Sequence, residues 1–101
     1  MMSGQRTIWK YTIPVNVLTA SFTTDQHIPE GARFLACATQ GGTIALWYEI
    51  PDPAAPKIRH GFQLFGTGTG PIGDHLAYVG TTLHADGALV LHVYETHRDA
   101  R

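Results

Sequence analysis

The stretch from Gly66 to Gly73 has the most unusual chemistry in the sequence, because threonines alternate with glycines there. Successive backbone N–H groups around Gly68, together with the hydroxyls of Thr67 and Thr69, could wrap an anion such as a phosphate. The stretch lacks the Lys-Ser/Thr ending of a Walker loop and opens no convincing helix, so known phosphate-loop mechanics do not carry over. The alternative is a loop whose glycines serve only the backbone conformation.

Two polar side chains of the preceding stretch could complete a ligand site. In its predicted strand, Arg59 points to the face opposite the apolar side chains, and Gly61 and Gln63 follow on the same side. A guanidinium beside a residue without a side chain has room to reach a planar or anionic ligand. The alternative is a solvated face of the sheet.

A two-residue link organises the middle of the chain. Gly41-Gly42 alone separates the predicted strands Arg33–Gln40 and Thr43–Ile50, and such a link is typical of a type I′ hairpin because both positions need a positive φ. Pairing the residues on either side of this link then predicts two faces. The core face collects Leu35, Cys37, Thr39, Ile44, Leu46 and Tyr48, and the opposite face collects Phe34, Ala36, Ala38, Ala45, Trp47 and Glu49.

Trp47 is the aromatic residue that this register singles out. It lies directly across from Ala36, so its ring stands on small residues that a ligand or a partner could cover. Trp9 and Tyr11 share one face of the first predicted strand and could stack on a base. Aromatic strand residues are more often part of the core, which is the alternative for this pair.

The elements that must position these residues are short strands. Six prolines and 11 glycines interrupt the sequence, and the runs between them are rich in β-branched and aromatic residues. The predicted strands are Thr7–Ile13, Val17–Thr24, Arg33–Gln40, Thr43–Ile50, Lys57–Phe65, Leu76–Leu83 and Ala88–Thr96. The pattern predicts one all-β domain over residues 1–101, an antiparallel sandwich or barrel of about seven strands with flexible ends at 1–6 and 97–101.

The last predicted hairpin, around His84-Ala85-Asp86-Gly87, is apolar on both faces. One face holds Tyr78, Gly80, Leu89, Leu91 and Val93, and the other holds Ala77, Val79, Val90, His92 and Tyr94. A strand pair buried on both faces in so short a chain indicates either a closed two-layer fold or a sheet that completes its burial against another copy, and the two together are favoured. We therefore expect a homo-oligomer.

Catalytic and metal-binding patterns do not emerge from the sequence. None of the six histidines forms a close H-x-H or H-E-x-x-H pair, so we expect no metal site and no cofactor. Both serines, Ser3 and Ser21, lie outside any nucleophile elbow, and Cys37 falls on the core face of its hairpin. His60 and His92 are interpreted as core or interface histidines. The sequence therefore predicts a protein that is not an enzyme.

The composition of the chain limits the classes of partner that it is expected to bind. A net charge of -1 without a Lys/Arg cluster argues against nucleic-acid polymers, and no apolar run approaches the ~20 residues of a membrane span. The start of the chain lacks the apolar run of a signal peptide, and a lone cysteine cannot form an internal disulfide. These features favour a cytoplasmic protein.

Short motifs along nearly the whole chain resemble a group of small uncharacterised proteins found mainly in bacteriophage and prophage genomes. The motifs are Ile8-Trp9-Lys10-Tyr11 with Pro14, Ile28-Pro29-Glu30-Gly31-Ala32, Gln40-Gly41-Gly42, Leu46-Trp47, Asp52-Pro53, Phe65-Gly66-Thr67-Gly68, Tyr78-Val79-Gly80-Thr81 and His92-Val93-Tyr94-Glu95. The pattern of that group continues with a histidine where this chain has Thr69.

The resemblance implies a phage-related setting in an infected or lysogenic bacterial host. By analogy with oligomeric sponge proteins, the leading hypothesis is non-enzymatic sequestration of a host nucleotide immune signal. The expected ligand contacts are Trp9, Tyr11, Trp47, Arg59, Gln63, Thr67, Gly68 and Thr69. The main rival is a virion or host-takeover protein that docks a partner through the apolar surface around Trp47, and a nucleotide-degrading enzyme is third.

Overall fold

Alternation of β-branched or aromatic residues with polar ones produces the predicted set of short strands. The computed structural model describes residues 5–15 and 22–99. The strands in this part of the chain are β1 (Thr7–Pro14), β2 (Phe22–Pro29), β3 (Arg33–Gln40), β4 (Thr43–Ile50), β5 (Lys57–Gly66), β6 (Ala77–His84) and β7 (Leu89–Asp99), with a 3-10 turn, Ala85–Gly87, between the last two. The observed bounds of β3 and β4 are the ones that the sequence predicted.

Two strand predictions need correction. The second strand was expected at Val17–Thr24 but is observed at Phe22–Pro29, and residues 17–21 lie outside the described part. The polar run Asp25-Gln26-His27 lacks the apolar alternation that predicts a strand, so the sequence pattern did not indicate it. The strand lies at the edge of its sheet, where polar side chains are tolerated. Residues 97–99, expected in a flexible end, are the last three of β7.

The strands form two antiparallel sheets, so the predicted all-β sandwich is confirmed. One sheet has the order β1-β4-β3 and the other has the order β2-β5-β7-β6. The core lies between them, and it is built mainly from alternate residues of β4, β5 and β7, with one residue each from the edge strands β1 and β2. Its members are Ile13, Ile28, Ile44, Leu46, Tyr48, Ile50, Phe62, Leu64, Leu91 and Val93. The described residues contain no helix of the length and apolarity that crossing a membrane requires.

The two sheets are tied together along both sides of the sandwich. On one side the Thr39 hydroxyl of β3 donates a hydrogen bond to the Leu83 carbonyl of β6 over 2.7 Å. There Gly80 lets the strands approach, since a Cβ at that position would lie 3.2 Å from the Cys37 sulfur. On the other side the Gln26 amide donates to the Thr12 carbonyl over 3.1 Å.

The central hairpin has the predicted register but not the predicted turn type. Gln40 pairs with Thr43, and Ala36 pairs with Trp47, as expected. Gly41 has a φ of 60°, whereas Gly42 is not among the residues with positive φ. A positive φ at the first position alone is the pattern of a type II′ turn, the other hairpin turn that fits strand twist. The Gly-Gly pair permits both types, so its sequence could not choose between them.

Three β-bulges change which face a side chain occupies. In β3 the extra residue is Leu35, so Phe34 pairs with Tyr48 and its ring contacts the edge of the Tyr48 ring at 5.6 Å. In β6 the extra residue is Val79, so Tyr78 pairs with Tyr94. The predicted faces of Phe34, Leu35, Tyr78 and Val79 are therefore wrong, because one inserted residue reverses the alternation beyond it.

The third bulge lies between β5 and β7, and it accounts for the glycine at position 61. A Cβ at Gly61 would lie only 2.2 Å from the Thr96 hydroxyl and 3.4 Å from a carboxylate oxygen of Asp25. We expect Gly61→Ala to lower the free energy of unfolding by about 1–3 kcal/mol, the usual cost of overpacking.

Urea denaturation of a double-mutant cycle tests this prediction. Thr96→Ala removes the clashing hydroxyl, so the double variant should be more stable than the sum of the two single losses implies. Strictly additive losses would contradict the clash.

Candidate functional site

The outer face of the four-stranded sheet carries a connected set of polar and aromatic side chains. Phe62, Leu64, Leu91 and Val93 point into the core, so their strand neighbours point outward. The register then places Phe65 across from His92, Gln63 across from Tyr94, and Thr81 beside His92. We call the surface formed by Thr67, Tyr78, Thr81, His92 and Tyr94 the His92 face.

A chain of hydrogen bonds runs across this face. The Tyr78 hydroxyl lies 2.7 Å from the Thr81 hydroxyl, which lies 3.0 Å from His92 Nδ1. His92 Nε2 lies 2.9 Å from the Thr67 hydroxyl. A hydroxyl can donate or accept, so both ring nitrogens are satisfied in either neutral tautomer. The imidazole is therefore held in one orientation.

The aromatic rings of the face pack edge to face around Tyr94. Tyr94 meets Phe65 at a centroid distance of 5.6 Å with an interplanar angle of 86°, and it meets Tyr78 at 5.6 Å and 69°. Phe65 is 5% exposed, whereas Tyr78 is 60% exposed. Tyr78 thus exposes most of its ring to solvent, while contacts with Tyr94 and Thr81 hold it in place.

Of the predicted ligand contacts, Gln63 and Thr67 belong to this region. Gln63 is half-buried on the outer side of β5, and the Thr67 hydroxyl reaches His92. Gly68 follows with a φ of 88°. Thr69 turns back on its own loop, since its hydroxyl and its backbone N–H both donate to the Gly66 carbonyl, at 2.7 and 3.2 Å. Thr69 therefore shapes the loop.

Arg59 lies on the same outer face but far from the His92 face. It is six residues from Phe65 along β5, which is about 20 Å of extended chain. Its guanidinium forms an ion pair with Asp25 at 3.3 Å. Thr96 occupies the space above Gly61 that the sequence had suggested for a ligand. Arg59 and Thr67 therefore lie too far apart to contact the same small molecule.

Trp9 and Tyr11 face the interior. They pair with Tyr48 and Leu46, and both pack against the core. Tyr11 meets the Tyr48 ring at 5.9 Å, and burial raises the pKa of its hydroxyl. Among the described residues its buried oxygen has no hydrogen-bond partner. The core interpretation of this pair is the one that the structure bears out.

Trp47 lies on the outer face of the three-stranded sheet. It is half-buried between its strand partners Lys10 and Ala36, as the hairpin register predicted. Trp47 and Arg59 therefore belong to different sheets and point away from each other, so one small ligand cannot contact both within a subunit. The sequence could not reveal this, because the order of strands across the sheets is set by long-range pairing.

Sequence reasoning did not group Tyr78, Thr81, His92 and Tyr94 as candidate site residues. His92 was interpreted as a core or interface histidine satisfied by hydrogen bonding. It is half-buried on the outer face, so the core alternative is wrong, but both ring nitrogens contact threonine hydroxyls as expected. The alternation of His92 and Tyr94 around the apolar Val93 was a usable signal. Tyr78 gave none, because the bulge at Val79 reverses its face.

Comparison with known families gives one match that spans nearly the whole chain. Residues 4–101 match the family described as Domain of unknown function (DUF7352). The chain belongs to this family. No curated protein and no solved structure matches it.

Three other titratable groups of this DUF7352 protein, His60, Glu95 and Cys37, are buried or half-buried. His60 Nδ1 lies 2.8 Å from the Glu95 carboxylate, with both side chains largely buried, and this pair couples β5 to β7. Burial raises the pKa of the Cys37 thiol, which favours the protonated, less nucleophilic form. In residues 5–15 and 22–99, no three His, Cys, Asp or Glu side chains form a group that could hold a metal ion.

His84 ends β6 in a buried position, 8% exposed, where its Nε2 lies 2.8 Å from the Thr82 hydroxyl. Burial penalises the charged imidazole and lowers its pKa below the ordinary value of 6.5. As the pH falls below that value, the unfolded chain takes up the proton first. The contribution of His84 is therefore fully present above pH 6.5 and is lost as the pH falls through the lower, folded-state pKa.

Thermal unfolding between about pH 7.5 and about pH 5 should show this loss. We expect the melting temperature of the DUF7352 protein to fall further over that range than that of a His84→Gln variant, because glutamine can still bond Thr82 but does not titrate. Equal falls in the two proteins would contradict the assignment.

Proposed function

We propose that the protein binds a small nucleotide-like ligand on the His92 face. The observation that carries the proposal is the exposed Tyr78 ring beside an imidazole whose two nitrogens contact threonine hydroxyls. An aromatic ring stacks on any base, and base stacking on an aromatic side chain contributes about 1–3 kcal/mol. Thr67, Thr81 and His92 supply hydroxyl and imidazole groups for the polar part of the ligand.

Homo-oligomerisation belongs to the same proposal. Small-molecule sites are usually concave, and a single sheet face is open to solvent. Tyr78 and Leu83 are 60% and 59% exposed on the outer side of β6. A second copy packed on this side would cover both apolar side chains and enclose the ligand.

Binding without turnover fits the geometry better than catalysis. The Thr67 hydroxyl and His92 lie at the separation of a nucleophile and its base, but the other nitrogen of His92 contacts the Thr81 hydroxyl. In Ser-His-Asp sites a carboxylate occupies that second position and stabilises the imidazolium. We therefore expect the ligand to be released unchanged.

The resemblance to small bacteriophage and prophage proteins suggests a biological role. A protein that binds a nucleotide tightly and does not degrade it can sequester a nucleotide signal, including one that a bacterial host produces on infection. This role places the protein in the cytoplasm of an infected or lysogenic cell. It rests on analogy, and ligand binding is the step to be tested first.

Calorimetry with a panel of cyclic nucleotides and nucleotide-sugar metabolites tests ligand binding. We expect Tyr78→Ser to weaken the Kd of a bound nucleotide by roughly 5- to 150-fold, the equivalent of about 1–3 kcal/mol of stacking. His92→Gln should also weaken it, since glutamine cannot contact both threonines in the same geometry. Chromatography of the mixture should return the ligand intact.

Trp47→Leu is the matched control, because it removes an aromatic ring from the outer face of the other sheet. It should leave the Kd unchanged. If Trp47→Leu abolishes binding and Tyr78→Ser does not, the ligand lies on the three-stranded sheet and the assignment to the His92 face is wrong. No heat from any nucleotide would reject the proposal.

A second candidate function is protein docking on the three-stranded sheet. Beside Trp47, the outer side of this sheet exposes Ile8 at 59% and Leu35 at 39%. Arg6 and Arg33 lie at its rim, both within 4 Å of Glu49, at 3.5 and 3.7 Å. An apolar centre with a basic rim suits an acidic partner with apolar anchors. Partner binding lost in Ile8→Glu but retained in Tyr78→Ser would favour this function.

A further inference from the structure

A concave cleft lies at the end of the sandwich where the β3–β4 and β6–β7 turns lie side by side. The cleft between them has a volume of about 700 Å³. Gly41 and Gly42 line it on one side, and Leu83, His84 and Asp86 line it on the other, with Val15 nearby. It does not overlap the His92 face, because none of the residues of that face lines it.

The cleft is preformed by hydrogen bonds that hold both turns. The Thr39 hydroxyl fixes β3 to the Leu83 carbonyl at 2.7 Å, and the Thr43 hydroxyl closes its own turn on the Gln40 carbonyl at 2.8 Å. Added Cβ atoms at Gly41 and Gly42 would meet no atom within 4 Å. Glycine thus leaves open space where side chains would otherwise project.

The charge of the cleft is negative. Of the described residues that line it, Asp86 carries the only formal charge. His84 lies at the same end, and burial lowers the pKa of its imidazole, so it is neutral near pH 7. An anion would meet repulsion without a compensating cation, whereas a cation would meet a carboxylate beside a neutral ring.

The backbone holds the Asp86 carboxylate at the rim. Asp86 has φ 56° and ψ 35°, and Ala85 before it has φ 51°. The left-handed region is costly for an alanine, and it is more readily adopted by aspartate and asparagine. Such strained residues persist only where the surrounding structure holds them, and they cluster at binding sites.

We propose that this cleft binds a small organic cation, with an ammonium group paired to the Asp86 carboxylate and a short alkyl part against Leu83 and Val15. The ammonium group balances the charge of the Asp86 carboxylate, and the alkyl part occupies some of the space beside the glycines. The Asp86 carboxylate disfavours the anionic phosphate of a nucleotide, so the two sites are expected to bind ligands of opposite charge.

NMR titration of the backbone amides with n-butylammonium tests the proposal. Butanol and butyrate, of similar length, are the neutral and anionic controls. We expect saturable shifts at Gly41, Gly42 and Gly87 with n-butylammonium and no saturable shifts with either control. Saturation by butanol at the same concentration, or no saturation by n-butylammonium, would overturn the proposal.

Asp86→Asn is the decisive variant, because asparagine keeps the size of the side chain and tolerates the same left-handed backbone. It should weaken n-butylammonium binding at least tenfold without altering the melting temperature by more than a few degrees. Asp74→Asn, in the exposed loop after Gly73, is the matched control and should bind as the wild type does. Equal affinity of wild type and Asp86→Asn would refute the role of the carboxylate.

Discussion

The pairing of β7 with its two neighbours is the constraint on which the candidate site depends. Val93 and Leu91 must point into the core, so His92 and Tyr94 must point away from it. β5 and β6 then contribute the residues that lie across from them. A shift of one residue in either register would bury His92 and expose the apolar residues, and the burial of Leu91 and Val93 opposes such a shift.

The bulge at Val79 acts within this constraint. It sends Val79 toward the core and leaves Tyr78 beside Tyr94 on the outer side. If β6 ran through Val79 without a bulge, Tyr78 would share the face of Leu91 and Val93. Thr81 would then lose its tyrosine partner and the hydrogen-bond chain would end at the histidine. One bulge thus decides whether this sheet exposes the Tyr78 ring on its outer face.

The two sheets present different surfaces. The three-stranded sheet exposes aliphatic side chains around a half-buried indole, whereas the four-stranded sheet exposes a tyrosine and polar groups that bond to each other. The interior between them is filled by apolar residues and by the His60–Glu95 pair. Because the core separates the surfaces, a ligand on one sheet and a partner on the other could bind the same subunit together.

The sequence by itself determined the number of strands, the all-β class, the register of β3 and β4 next to their turn and the outward position of Trp47, because these depend on local alternation and on glycine turns. The tertiary structure alone decided which strands are neighbours, where the bulges fall and which outward side chains meet. It separated Arg59 from Thr67, turned Trp9 and Tyr11 into core residues and joined His92 to Tyr78 through Thr81. Pairing between distant strands depends on the packing of the whole core, and no short window of residues contains that information.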